Sequence, residues 1–391
     1  MPTDIRSTDV TIRIAATLAD VDHLGPAWRE LETRPGNELS FFQTFSWCRT
    51  WLESHGAGAT PHVYAVWKGH QLAAILPLML VNRWGTLRQL RGLGEPHTQY
   101  CNLLTDPDLF DRDASAALSA ELARVENCDV AVFSGVPETS PLSSILAGFP
   151  PVAGYDNAAS MLDLSAYADA ADYTARLGKL QKRNRNRRRN HLARLGELDF
   201  EVIWPGHPQF DALVSRAIAM KKVWLRQSGR YSTGLAARGH DAFLAGLRGD
   251  ADRLEGACLS VLRVAGEPVA LELGFIHHGH YYAYLGGFEW SLRAHSPGKV
   301  QMDMTVCWLI DQGITAYDLL GSPDGYKQSW TSRTVGLAAR AQPFSWRGHV
   351  YAATWLPAVR PAIKRLGQSL PEVLRRLTTL GQSLTCCLLF V

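Results

Sequence analysis

What this chain has little of narrows its nature first. Its seven cysteines, at positions 48, 101, 128, 258, 307, 386 and 387, are odd in number and include no Cys-x-x-Cys pair. That excludes a regular disulfide framework, offers no zinc motif and fits reduced thiols in a cytosol. No apolar run is long enough to span a bilayer, since Leu72 to Val81 is broken by Pro77 and Cys386 to Val391 is only a short tail. Met1 to Thr11 carries Asp4 and Asp9 and no apolar stretch, so no secretory signal is expected. The net charge is only +3, too small by itself to argue for nucleic acid. Nor is there a Gly-x-Ser-x-Gly elbow for a serine nucleophile. The expectation is a soluble cytoplasmic protein, with a basic C-terminal stretch as the one feature that suits a peripheral place on the inner face of a membrane.

What is present is an ordinary globular composition, 46% hydrophobic and 20% charged, in a chain of 391 residues that suits about two domains. Helical spacing covers Leu18 to Leu31 and Gln43 to Leu52. Val63 to Trp67 alternates as a strand, Lys68-Gly69-His70-Gln71 turns, and Leu72 to Val81 returns as its partner. Leu87 to Leu93 reads as a strand, Ala114 to Val125 as a helix and Val130 to Ser134 as a strand. Pro137 to Gly154 is rich in Pro, Ser and Gly and is the best connection between halves. The second half repeats the order: helices, the strands Ala257 to Val264 and Val269 to Ile276 around a Gly-Glu-Pro turn, then strand, helix and strand. This predicts an α/β fold of two tandem domains with mixed sheets, 1–165 and 166–346, and a basic helical tail over 347–391.

The most informative stretch runs from Tyr281 to Trp330. An aromatic strand leads into Arg293-Ala294-His295-Ser296-Pro297-Gly298-Lys299, and Pro297 fixes one φ, Gly298 permits close approach, and Lys299 opens a helix whose first amides lack internal partners. Such an N-terminus suits a pyrophosphate. Val300, Met304, Cys307 and Trp308 share one helical face, Gly313 stands where a C′ glycine closes the helix, and Ile314 to Leu320 reads as a strand expected to lie parallel to the first.

Arg293-x-x-Ser296-x-Gly298 resembles the Arg/Gln-x-x-Gly-x-Gly/Ala pyrophosphate loop of the GNAT acyltransferases, with Ser296 in place of the first glycine. The wider pattern of Ser296-Pro297-Gly298-Lys299, Gly313-Ile314, Tyr317-Asp318 and Tyr326-Lys327 is similar to the FemAB-like and CelD (BioF2-like) branch. The resemblance implies two tandem GNAT-like domains, the second holding acetyl-CoA or another acyl-CoA through Arg293, Ser296, Pro297, Gly298 and Lys299, with no metal. It implies direct transfer of an acyl group to an amine of a sugar or amino-acid-derived acceptor, small or lipid-linked. It also implies two alternatives: an aminoacyl-tRNA-dependent transferase acting on a cell-wall precursor, and a non-catalytic scaffold in envelope polysaccharide biosynthesis.

Such a transfer needs a proton acceptor for the amine and a proton for the departing thiolate. Glu272 is the candidate base, alone in the apolar run Val269 to Phe275, where burial would raise its pKa. The resemblance makes Tyr326 the candidate acid. Asp318 and Lys327 are candidate substrate-binding residues beside it. His277-His278-Gly279-His280 reads as a hairpin turn, and two same-face histidines without a third ligand give no metal site.

Lys179 to His191 contains seven Lys/Arg and no acid, and Gln181 to His191 offers no apolar residue. This segment, with Arg185 and Arg189 as candidate anion ligands, is either solvated or holds the phosphates of a coenzyme, a lipid-linked substrate or tRNA. Without interleaved aromatics, specific DNA reading is not expected. The tail from Val359 to Leu380 carries Arg360, Lys364, Arg365, Arg375 and Arg376 against Glu372 alone. It reads as a terminal helix docked with its arginines outward, or as a contact for an anionic membrane.

Overall fold

The computed structural model describes residues 10–230, 232–237, 239–321 and 327–362. The chain divides into two compact units: one holds the residues up to Asn157 together with those from Gly336 onward, and the other is Ala158–Val335. These divisions differ from the expected 165/166 and 346/347. Strand pairing is the reason: the segment just after Asn157 pairs as a strand within the second unit, and the residues from Leu337 pair within the first.

In the first unit, strands β1 (Val10–Ala15), β2 (Ala59–Pro61), β3 (Val63–Lys68), β4 (Gln71–Leu76), β5 (Leu78–Arg83), β6 (Leu87–Gly92), β7 (Leu104–Thr105) and β8 (Val130–Pro137) accompany helices α1 (Leu18–Glu32), α2 (Phe45–His55), α3 (Arg112–Leu122) and α4 (Pro141–Ile145). Helix α1 starts where expected because Thr17 and Asp20 form a reciprocal capping box. The run Leu72–Val81 is not one strand. Pro77, which has no N–H for a ladder, parts it into β4, paired with β3 in the sheet β1-β3-β4-β7, and β5, paired with β2 and β6 in a second sheet.

The second unit comprises β9 (Ala158–Asp163), α5 (Ala170–Arg176), α6 (Lys179–Ala193), β10 (Leu198–Ile203), α7 (Phe210–Gln227), α8 (Thr233–Ala236), α9 (His240–Gly246), β11 (Gly249–Asp250), β12 (Glu255–Val264), β13 (Glu267–His277), β14 (His280–Phe288), α10 (Pro297–Asp311) and β15 (Ala316–Asp318). Its strands are ordered β10-β12-β13-β14-β15-β9. β14 and β15 are parallel, with Tyr281 beside Tyr317, as a helical crossover requires. In the first unit β6 and β8 are likewise parallel and flank α3. The same antiparallel-then-parallel arrangement therefore occurs once in each unit.

The chain then follows β16 (Arg333–Pro343), α11 (Trp346–Val350) and a wider π-helical stretch, Tyr351–Val359. Most of the expected tail, 363–391, lies outside the described residues. Helix α10 departs from a simple amphipathic pattern. Its expected stripe packs in two clusters: Val300 and Met304 meet Leu262 and Val264 of β12, Val269 and Ala270 of β13 and Leu192 of α6, while Cys307 and Trp308 pack on the cluster that joins Met302, Val306, Leu309 and Ile310 to Ile276, Tyr281 and Tyr317. The helix is covered on two sides, which is why its apolar surface is wider than the expected stripe.

Candidate active site

The loop before α10 has the geometry its sequence suggested. Ser296 adopts the left-handed conformation, φ 55° and ψ 48°, which a side-chain-bearing residue rarely takes. It stands at the position that the sequence resemblance aligns with the first loop glycine, in a backbone conformation that favours glycine. Pro297 opens the helix, and Lys299 and Val300 turn their N–H groups back to the Ser296 carbonyl at 3.0 and 3.3 Å. The Gly298 N–H finds no acceptor among the described residues. A Cβ on Gly298 would sit 3.3 Å from the Phe288 ring, so the loop lies close against the end of β14.

Cations gather around this helix start, with Glu289 in the preceding loop and Asp303 further along the helix as the acids near it. The first turn contains no acid. Burial, and then Arg188 of α6, push the Lys299 ammonium below its usual pKa. Arg293 is exposed, with its guanidinium 5.4 Å from the centre of the Trp290 ring, and the rings of His191 and His295 stack at 4.2 Å. Two cations held together at the positive end of a helix dipole form a site that favours an anion. Beside it, a cleft of about 210 Å³ is lined by Arg216, Ala219, Met220 and Val223 of α7 and by Phe288, Glu289 and Trp290.

Glu272 lies elsewhere on the sheet, beneath the second turn of α10. It is 6% exposed. The Tyr317 hydroxyl donates to both of its oxygens at 2.9 and 3.0 Å, and the Tyr281 hydroxyl donates to one at 3.1 Å. Burial lifts its pKa to about 7, against the pull of these hydroxyls and of Gln301. Gln301 also donates to Ser260 and Thr305, so a polar cluster joins α10 to β12 and β13. Gly274 makes this packing possible: a Cβ there would lie 2.1 Å from the tip of the Tyr281 ring. Because Tyr281 is enclosed, Gly274→Ala is expected to cost about 2 kcal/mol by overpacking. Denaturant unfolding of the variant checks this, and a midpoint matching the wild type would contradict it.

The basic helix is not simply solvated. Arg185 turns inward, donating to Asp303 of α10 at 2.5 Å, to Thr174 at 2.6 Å and to Cys307 at 3.2 Å. The reading of this segment as solvated or phosphate-holding is corrected at Arg185 by Asp303, an acid on a largely buried helix that drew no attention in the sequence. Its signal was there, as a lone acid between Met302 and Met304. Arg189 is exposed and reaches Asp303 only electrostatically.

Asp318 and Lys327 have internal partners. Asp318 is fully buried, accepting from the Leu320 N–H at 2.7 Å and lying 3.2 Å from His280 Nε2. The Lys327 ammonium donates to the carbonyls of Leu319 and Gly321 at 2.7 and 2.9 Å, holding the chain after β15. Tyr326 lies outside the described residues. The structure thus gathers the loop residues, Lys299 and α6 at one helix end, and places Glu272, Asp318 and Lys327 inside the unit.

Residues 179–328 match the family model of the GNAT acetyltransferase domain. The structure of FemX matches with a TM-score of 0.58 at 11% identity, over 88% of this chain and 99% of its own. The C-terminal DUF2156 domain of an Agrobacterium fabrum protein described as a lysylphosphatidylglycerol synthetase matches with a TM-score of 0.55 at 13% identity, over 87% and 96%. A tandem GNAT protein from the clavulanic acid biosynthesis pathway covers 85% and 98% at 14% identity with a TM-score of 0.49. No curated protein matches the sequence. Residues 179–328 thus carry the match to a GNAT acetyltransferase domain, within a chain whose fold is similar to that of FemX.

Proposed function

We propose that this chain transfers an acyl group, acetyl in the simplest case, from a CoA thioester to an amine of a sugar or amino-acid-derived acceptor. The observation that carries the reading is the acid-free start of α10, where Ser296 and Gly298 shape the backbone and Lys299 and Arg188 concentrate positive charge. Arg293, Ser296, Pro297, Gly298 and Lys299 would hold the pyrophosphate, and the neighbouring cleft at Phe288 and Trp290 would receive the acyl end. The amine lone pair attacks the thioester carbonyl, the carbon–sulfur bond breaks, the thiolate takes a proton for which Tyr326 is the sequence-based candidate, and the proton shed by the nitrogen restores that donor, so amide and free thiol form with no net change in protons. In this reading Glu272 is a positioning residue, because a carboxylate with both oxygens engaged under α10 sets the helix rather than meeting an acceptor.

Calorimetric titration with acetyl-CoA tests it, using the wild type, Gly298→Trp and Lys299→Glu. Glutamate is welcome in the first turn of a helix, so Lys299→Glu should fold normally while repelling pyrophosphate. A tenfold or greater loss of affinity in both variants is expected, with affinity falling as salt rises. Unchanged affinity in Lys299→Glu would remove the site. A second reading, aminoacyl transfer from tRNA, is supported by exposed Arg183 and Arg187 on α6 and Arg194 at its C-terminal cap. Salt-sensitive tRNA binding, lost in Arg183→Glu/Arg187→Glu and accompanied by no heat from any acyl-CoA, would favour it.

A further inference from the structure

The first unit presents an apolar surface with basic side chains along it. Trp346 is 73% exposed and Val350 55%, one helical turn apart, with Val359 and Trp84 also open to solvent. Exposed Ala353 continues the same face.

This exposure does not come from a loosely placed helix. A Cβ on Gly348 would lie 1.8 Å from the Asp129 carbonyl oxygen, so the opposite side is packed hard against the backbone before β8. Tyr351 and Leu356 are buried with Val130 and Val132. The Arg83 guanidinium sits 5.0 Å from the Trp84 ring centre and 5.7 Å from those of Tyr351 and Trp355, and donates to the Tyr351 hydroxyl. That cluster ties the exposed Trp84 to the same helical segment. The large side chains outside are therefore presented on a fixed support.

The flanking charges are basic. Arg347 lies over the Trp346 ring, and Arg360 is exposed beside Val359. In sequence, Glu372 is the only acid between Gly325 and Val391, whereas Lys364, Arg365, Arg375 and Arg376 follow Arg360. The sequence then runs through Cys386 and Cys387 to Leu388-Leu389-Phe390-Val391. Among the described residues no helix is long and apolar enough to cross a membrane.

We propose that the face formed by Trp346, Val350, Val359 and Trp84, rimmed by Arg347 and Arg360, seats the protein on an anionic lipid surface. Tryptophan belongs at a headgroup boundary, where its ring is buried and its N–H stays wet. Arginine stems lie along the apolar region while their heads meet lipid phosphate. A second copy of the chain fits less well, because a two-fold contact would bring this positive face against itself. Nucleic acid would leave Val350 and Val359 without partners. The proposal is independent of the acyl donor.

Co-sedimentation of the full chain with vesicles tests it, comparing phosphatidylcholine alone with a phosphatidylglycerol mixture at low and high salt. Binding to the anionic vesicles is expected, weakened by salt and at least fivefold lower for both Trp346→Ser/Val350→Ser and Arg347→Glu/Arg360→Glu. These positions are exposed, so thermal unfolding should match the wild type. No vesicle binding, equal binding by the variants, or equal binding to neutral and anionic vesicles would overturn the proposal. So would a wild-type dimer in solution that the Trp346→Ser/Val350→Ser variant dissociates, since the face would then be a self-association surface.

Discussion

Glu272→Gln should make the protein more stable at pH 8 by about 3 kcal/mol, the free energy that corresponds to raising a carboxyl pKa from 4.5 to about 7. The cause is burial: above that pKa the folded state must hold a charged carboxylate beneath α10, where the Tyr281 and Tyr317 hydroxyls, Gln301 and the charge of Lys221 offset the cost only in part. The sign follows from proton counting. Between about pH 4.5 and 7 the folded protein holds this proton while the unfolded chain has released it. Its contribution is therefore fully present below about pH 4.5 and is lost as pH rises through 7. Glutamine keeps the shape and an acceptor oxygen but has no proton to lose, so the wild-type decline over this interval should flatten in the variant. Denaturant midpoints at several pH values between 4.5 and 8.5 provide the measurement. Parallel curves for the two proteins would mean that Glu272 does not titrate in the folded state as its surroundings dictate. Activity supplies a second readout: a positioning role predicts that acyl-CoA affinity changes more than the turnover of saturated enzyme.

Arg185→Leu should destabilise by about 3 kcal/mol, because it leaves Asp303 among buried neighbours without its hydrogen-bonded partner and with only the unbonded charges of Arg188 and Arg189. The Arg185 side chain is 17% exposed and that of Asp303 10%, so solvent does little to replace either partner. The arginine also loses its bonds to Thr174 and Cys307, which tie α6 to α5 and α10. Arg187→Leu, on the exposed side of the same helix, should change stability by less than about 0.5 kcal/mol. The deciding variant is Arg185→Leu/Asp303→Leu. A buried ion pair replaced on both sides by apolar groups is often neutral, so the double variant should recover most of the loss. If the double variant is as unstable as the single one, the cost lies in packing and not in the stranded carboxylate. Limited trypsin digestion should follow the same order, since α6 is rich in cleavage sites and becomes accessible once it leaves α10.

Much of this architecture was legible in the sequence, for reasons that are local. Thr17 and Asp20 mark the start of α1. Pro297 opens α10 and Gly313, at φ 76°, ends it. The strand, helix and strand around α10 required β14 and β15 to be parallel because a crossover leaves no other simple path. Ser296 was recognisable as the loop residue standing where a glycine is usual, although its left-handed backbone appears only in the structure. Glu272 stood out as a lone acid in an apolar strand, and burial with a raised pKa follows from that pattern.

What the tertiary structure decided depends on which surfaces meet. A proline in Leu72–Val81 announces a break but not that the two pieces join different sheets. How much more of α10 than its expected stripe is enclosed could not be told from hydrophobic spacing, since α6 covers part of the helix as well. The inward turn of Arg185 needed Asp303, 118 residues away, to become its neighbour. Asp318 and Lys327 seemed free to meet a ligand until the fold surrounded one and gave the other a set of carbonyls. Sequence determined where elements begin, end and cross over, because caps, turns and chain sterics act over a few residues. Only packing decided which charged groups are enclosed and which remain available, because that depends on partners brought together from distant parts of the chain.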